Sequence, residues 1–154
     1  MLFNASIKDN IRIGKKGATD EEIARVAKIA RCDEFINRMS EGLDTVIGEN
    51  GERLSGGERQ RISIARAILK DTPVILMDEA SASLDVENES LIQEALSELI
   101  KNKTVIVIAH RMRTIRGADK IVLLYQGKIE AMGTDAELQA QSATYRKMLE
   151  KSMG

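Results

Sequence analysis

Cysteine, proline and histidine each occur once in 154 residues, tryptophan is absent, and aromatic residues make up only 3% of the chain. The single Cys32 excludes an intrachain disulfide and a cysteine-based zinc site. Such sparing use suits a reducing compartment. One proline and no tryptophan argue against an all-β, turn-rich fold. No apolar run approaches the roughly 20 residues needed to cross a bilayer. The opening Met1-Leu2-Phe3-Asn4 lacks a basic stretch followed by a long apolar one, so no signal peptide is expected there. Charge of one sign is also lacking: 23 Lys and Arg stand against 24 Asp and Glu, for a net charge of −1. That excludes a broadly basic nucleic-acid binder. What is present, 43% hydrophobic and 31% charged residues, is the composition of a folded globular chain. Its length suits about one domain with a real core.

Helical signals dominate the first half. Thr19-Asp20-Glu21-Glu22 reads as a capping box, followed by Ile23, Val26, Ala27 and Ala30 at helical spacing. A short helix is expected from about Asp33 to Met39, and a loop from Glu41 to Arg53, where Gly42, Gly48 and Gly51 fall. Ser55-Gly56-Gly57-Glu58 is a second capping box. It opens a helix that should run to about Lys70, before Asp71-Thr72-Pro73 breaks it.

Beyond Pro73 strands and helices alternate. Val74 to Met77 and Thr104 to Ala109 are apolar runs that predict strands buried on both faces of a parallel sheet. Between them Asp85 can cap a helix with Leu91, Ile92, Ala95, Leu96, Leu99 and Ile100 on its apolar side. Ile121 to Tyr125 predicts a third buried strand. Gln126-Gly127 signals a hairpin into Lys128 to Met132. Thr134-Asp135-Ala136-Glu137 is a third capping box, opening one or two terminal helices. Alternating strands and helices imply right-handed crossovers and an α/β fold.

Three strings carry chemistry. In Leu54-Ser55-Gly56-Gly57-Glu58-Arg59-Gln60, two glycines at a helix start let backbone amides and the Ser55 hydroxyl approach an anion. The plainer reading makes Ser55 an N-cap and the glycines loop. Asp78 and Glu79 emerge where the Val74–Met77 strand ends, the edge at which α/β proteins bind ligands. One carboxylate there can hold Mg²⁺ through water, and its neighbour can orient and deprotonate an attacking water. They also fit as helix-starting acids after a strand. His110, the only histidine, follows the next strand at the same edge, where it can donate to a phosphate oxygen or serve structure. Asp85, in Ser83-Leu84-Asp85, reads by default as an N-cap. The seven methionines and Cys32 read as apolar filler, and Lys15 and Lys16 as a solvated loop.

Taken together and in this order, the strings resemble the nucleotide-binding domain of ABC ATPases. Leu54–Gln60 resembles the family's signature motif, Val74–Glu79 its Walker B strand with catalytic glutamate, Ser83–Asp85 its D-loop, and His110 its switch histidine. Thr45-Val46-Ile47-Gly48-Glu49-Asn50-Gly51 is similar to the segment before the signature in exporters. Leu2-Phe3 and Ser6-Ile7-Lys8-Asp9-Asn10-Ile11 are similar to the exporter stretch after the Q-loop.

The resemblance implies a partial P-loop NTPase (ABC ATPase) fold, a mostly parallel sheet with helices plus an α-helical subdomain. It places the helical subdomain and signature helix in residues 1–72, and the C-terminal α/β part of the ATPase core in 73–154. It implies ATP and Mg²⁺ as ligands. Glu79 would be general base and His110 the γ-phosphate contact. Asp78 would hold Mg²⁺ through water. Ser55, Gly56, Gly57, Glu58, Gln60 and Asp85 would face nucleotide across a head-to-tail dimer with a second nucleotide-binding domain. An ABC transmembrane domain would be the other partner, with the chain at the cytoplasmic face of the membrane.

No Gly-x-x-x-x-Gly-Lys-Ser/Thr string occurs; Gly14-Lys15-Lys16-Gly17 is no substitute. By resemblance this is the C-terminal part of such a domain, and alone it is expected not to hydrolyse ATP. The missing P-loop strand would leave open sheet edges, so self-association, strand exchange or closure of the gap is expected. Two other readings stay open: a fragment of a non-transport ABC ATPase, or a non-catalytic module that pairs with a full domain.

Overall fold

The computed structural model describes residues 1–78, 86–109, 112–115 and 117–152, with only the backbone described at 86–89, 113, 114 and 152. These residues fall into two compact units, one drawn from 1–76 and 81–106, the other from 77–80 and 107–154.

The first unit is mainly helical: α1 (Ile7–Arg12), α2 (Asp20–Ile29), α3 (Asp33–Ile36), α4 (Gly56–Lys70) and α5 (Val86–Ile100). Its organising element is α4, which packs against α1, α2 and α5. The apolar positions of α4 recur at helical spacing, so Ile62, Ala65 and Leu69 share the buried side. Ile7 and Ile11 of α1, Ile23 and Val26 of α2, and Ile92, Ala95 and Leu99 of α5 are buried in the same unit. Both expected capping boxes form. At α2, Thr19 Oγ1 accepts from the Glu22 amide at 3.2 Å, and Glu22 Oε2 accepts from the Thr19 amide at 3.0 Å. The third helix is shorter than its sequence suggests, ending at Ile36.

The Gly-rich stretch before α4 is not free loop. Two single-turn 3₁₀ segments, Gly42–Asp44 and Glu49–Gly51, fold it. Its middle pairs with the chain's opening: Ile7 donates to Thr45 O at 3.1 Å and Ile47 to Ala5 O at 3.2 Å, around a Ser6–Val46 bridge. Beyond α4 the chain turns through Asp71, left-handed at φ 49°, whose carboxylate accepts from Lys103 Nζ at 2.8 Å. That bond holds the Asp71 carboxyl below its ordinary range.

Strands β1 (Val74–Asp78) and β2 (Thr104–Ile108) form a two-stranded parallel sheet. The expectation of burial on both faces is not met. Ile75 is buried, yet Leu76 is 77% exposed, Ile106 52% and Ile108 61%. A strand is buried twice only where layers cover both sides of a sheet. Here β1 and β2 have only each other as strand neighbours among the described residues.

The second unit holds α6 (Met112–Ile115), β3 (Ile121–Tyr125), β4 (Lys128–Gly133), α7 (Asp135–Gln141) and α8 (Ala143–Ser152). The hairpin between β3 and β4 forms where Gln126-Gly127 signals it. Both turn residues have positive φ, 49° and 75°, the type I′ geometry that matches strand twist. The third strand alternates rather than being buried throughout: Ile121 and Leu123 face a core with Leu138, Tyr145 and Leu149, while Val122 and Leu124 face outward. Thr134 and Glu137 cap α7 reciprocally. The strands lie in two separate pairs among the described residues, β1 with β2 and β3 with β4.

Candidate functional site

The signature-like string is built as a helix start. Leu54 is buried and anchors the approach. Ser55 is extended (φ −66°, ψ 163°), and helix begins at Gly56. Ser55 Oγ accepts from the Glu58 amide at 3.2 Å, and Glu58 Oε2 accepts from the Ser55 amide at 2.8 Å. A hydroxyl that accepts one bond can still donate another, so capping leaves the Ser55 O–H proton available to a ligand oxygen. The plain N-cap reading and the anion-contact reading are thus compatible in one side chain.

Ser55 and Gly56 are exposed, Gly57 is buried, and Glu58 and Gln60 are half-buried. The first amides of α4 carry the positive end of the helix dipole toward solvent. The Glu58 carboxylate sits beside them, and Arg38 Nη2 lies 3.3 Å from its Oε1, offsetting part of its charge. From the next turn, Arg59 Nη1 reaches back to Leu54 O at 2.5 Å and Gly51 O at 3.4 Å, tying the approaching chain to the helix. Two residues further along, Arg61 lies 5.3 Å over the Phe35 ring and is buried.

Asp78 ends β1 with an exposed carboxylate. No group of three metal-ligating side chains forms among the described residues. Among the described residues there is thus no all-protein cage. A single strand-end carboxylate does fit Mg²⁺, which keeps most of its water and takes one or two carboxylates plus phosphate. Glu79, Asp85 and His110 lie outside the described residues, and so does their expected convergence with Ser55. Cys32 is buried, and burial pushes its thiol up to about 12, in keeping with an inert apolar role. Lys15 pairs with Glu22 Oε1 at 2.5 Å in an exposed setting.

Motif reading passed over two residues that the structure makes central to the first unit, Asn10 and Arg66. Asn10 is fully buried between Ile7 and Ile11, and Arg66 reaches it from α4. The available signal was an amide placed on the apolar side of a short helix.

A family model described as ABC transporter matches residues 2–82. An ATP-dependent lipid A-core flippase of Vibrio cholerae is 52% identical over 148 residues, covering 96% of this chain and 25% of that protein. The Beta-(1-->2)glucan export ATP-binding/permease protein NdvA of Agrobacterium vitis is 48% identical over 151 residues, covering 98% of this chain and 26% of that protein. The chain thus spans about a quarter of the length of these curated relatives. Among solved structures, that of a bacterial Atm1-family ABC exporter with ATP bound superposes with a TM-score of 0.85 at 38% identity. It covers 99% of this chain and 27% of that one.

Proposed function

The chain belongs to the ABC transporter family, and from that premise we propose that it is the signature-bearing portion of an exporter's nucleotide-binding domain. The observation that carries the reading is the capped start of α4, where the Ser55 hydroxyl and the exposed Gly56 stand at the N-terminal end of a 15-residue helix. In this reading Ser55, Gly56 and Gly57, flanked by Glu58 and Gln60, close on the γ-phosphate of ATP held by the P-loop of a second nucleotide-binding domain. Glu79 takes the proton of the attacking water, a role worth about 10²–10⁴-fold in rate. His110 donates to the γ-phosphate, and Asp85 links the two sites across the dimer. Asp78 would hold Mg²⁺ through water, and the ion would supply charge neutralisation on the phosphates. Residues 1–72 serve as the helical subdomain and 73–154 as part of the core. An ABC transmembrane domain is the second partner, at the cytoplasmic face of the membrane.

The 154 residues contain no P-loop string. The loop's amides and lysine supply most of the positioning on which phosphoryl transfer depends. The chain by itself therefore hydrolyses no ATP. Calorimetry with MgATP should give no binding heat; micromolar binding that Asp78→Asn abolishes would overturn this.

The direct test supplies the missing loop in trans. The nucleotide-binding domain of the Vibrio cholerae flippase is prepared with its own signature glycines replaced, so that its P-loop stays intact. Adding this chain should restore MgATP hydrolysis in proportion to complex formed, and Gly57→Arg in the added chain should remove the effect. No restoration by the unmodified chain at saturation overturns the reading.

A further inference from the structure

A polar network built on Asn10 and Arg66 lies away from the signature. Asn10 is 0% exposed and uses both ends of its amide. Its Oδ1 accepts from the Phe3 amide at 2.9 Å and from Arg66 Nη2 at 3.2 Å. Its Nδ2 donates to Phe3 O and Ser6 O, each at 3.0 Å. Arg66 adds two further bonds to the same segment, Nε to Asn10 O at 2.8 Å and Nη1 to Met1 O at 3.0 Å. The three nitrogens of one guanidinium thus hold the opening segment at three neutral oxygens. A lysine, with one ammonium on a flexible stem, does not span them.

Backbone packing marks the same place. A Cβ on Gly14, just past α1, would stand 2.4 Å from the Arg66 carbonyl oxygen. The exit of α1 therefore lies directly against the α4 backbone at the residue that makes the polar clamp. An apolar contact between helices tolerates sliding. A polar network centred on the buried Asn10 amide favours one register.

Arg66 lies ten residues beyond Gly56, about 15 Å along a rigid helix. We propose that Arg66 and Asn10 are positioning residues for the signature, fastening Met1–Asn10 to α4 so that Ser55–Gly57 are presented in one fixed register. The functional half of this inference rests on the proposed function; the clamp itself does not. Without the clamp, α4 can slide along α1 and its start loses that fixed place.

Two measurements test it separately. In the 154-residue chain, amide hydrogen exchange is followed for Phe3, Ile7 and the interior of α4 in Arg66→Gln and Gly14→Ala. Protection at Phe3 and Ile7 should fall at least tenfold while Ile64 and Ala65 keep theirs. Unchanged protection, or equal loss in α4, overturns the clamp. In the trans assay, Arg66→Gln should lower the maximal rate at least fivefold at saturating chain, with the half-saturating MgATP concentration unchanged. Arg66→Lys should not rescue it. A full maximal rate, or one recovered by adding more variant chain, overturns the positioning role. If the unmodified chain gives no hydrolysis, the proposed function falls, while hydrogen exchange still decides the clamp.

Discussion

Ser55 offers a way to separate holding a helix from contacting an anion. In Ser55→Ala the bond from the Glu58 amide, 3.2 Å in the native chain, has no acceptor. Loss of such a cap costs about 1 kcal/mol, within a range of roughly 0.5–2. For a unit of about 100 residues that corresponds to a fall of roughly 4–8 °C in its unfolding midpoint. In Ser55→Asp the cap survives, because aspartate caps about as well as serine. Its charge gains about 0.3–1 kcal/mol from the helix dipole, offset in part by the neighbouring Glu58 carboxylate, whose Oε2 lies 2.8 Å from the residue 55 amide. Stability should therefore stay within about 0.5 kcal/mol of native. Function should go the other way. If a terminal phosphate docks at Ser55 as proposed, a carboxylate there repels it and removes the hydroxyl donor, so trans activation should disappear. Ser55→Ala should retain part of the activation through the first amides of α4. Urea unfolding and the trans assay on the same preparations give both numbers. Should Ser55→Asp lose as much stability as alanine, or keep its activation, the double use of this side chain is wrong.

Leu138→Ala should cost about 2–5 kcal/mol in the second unit, since Leu138 is 1% exposed within its core. Both tyrosines, Tyr125 and Tyr145, belong to that unit. Near-ultraviolet tyrosine dichroism should therefore be lost while α4 amides keep their exchange protection; loss in both would refute it. The Glu137 carboxyl is held below its ordinary value by the Thr134 amide and then its hydroxyl. Its contribution is accordingly present above the ordinary carboxylate pKa and lost as pH falls through the depressed one. Carboxyl titration by NMR should give a midpoint below 4.5 that returns toward that value in Thr134→Ala. At pH 8 Cys32, pushed up to about 12 mainly by burial, should react with a disulfide reagent on the order of a thousandfold slower than an exposed thiol. A fast reaction in the folded chain would contradict that.

Helix starts were the most legible part of the sequence. The capping boxes at Thr19, Ser55 and Thr134 depend on side chains three residues apart, and all three form as the pattern implies. The Gln126-Gly127 turn is equally local. Burial of the strands was not legible. Val74–Met77 is apolar at every position, but apolarity records what a strand tolerates rather than what covers it, and Leu76 remains exposed. The signature helix was readable at its start and silent at Arg66. Nothing within a few positions of Arg66 announces an asparagine 56 residues away. The string Leu54–Gln60 is legible because its chemistry lies in consecutive residues.

That long separation bears on synthesis as well. Asn10 leaves the ribosome 56 residues ahead of Arg66. At about 5–20 residues per second that is a wait of roughly 3–11 s. For that interval the nascent α1 has its amide partners from residues 3 and 6 but not the guanidinium that seats it on α4. The opening segment is therefore a late-sealing piece of the first unit, and a chaperone has seconds in which to occupy its place.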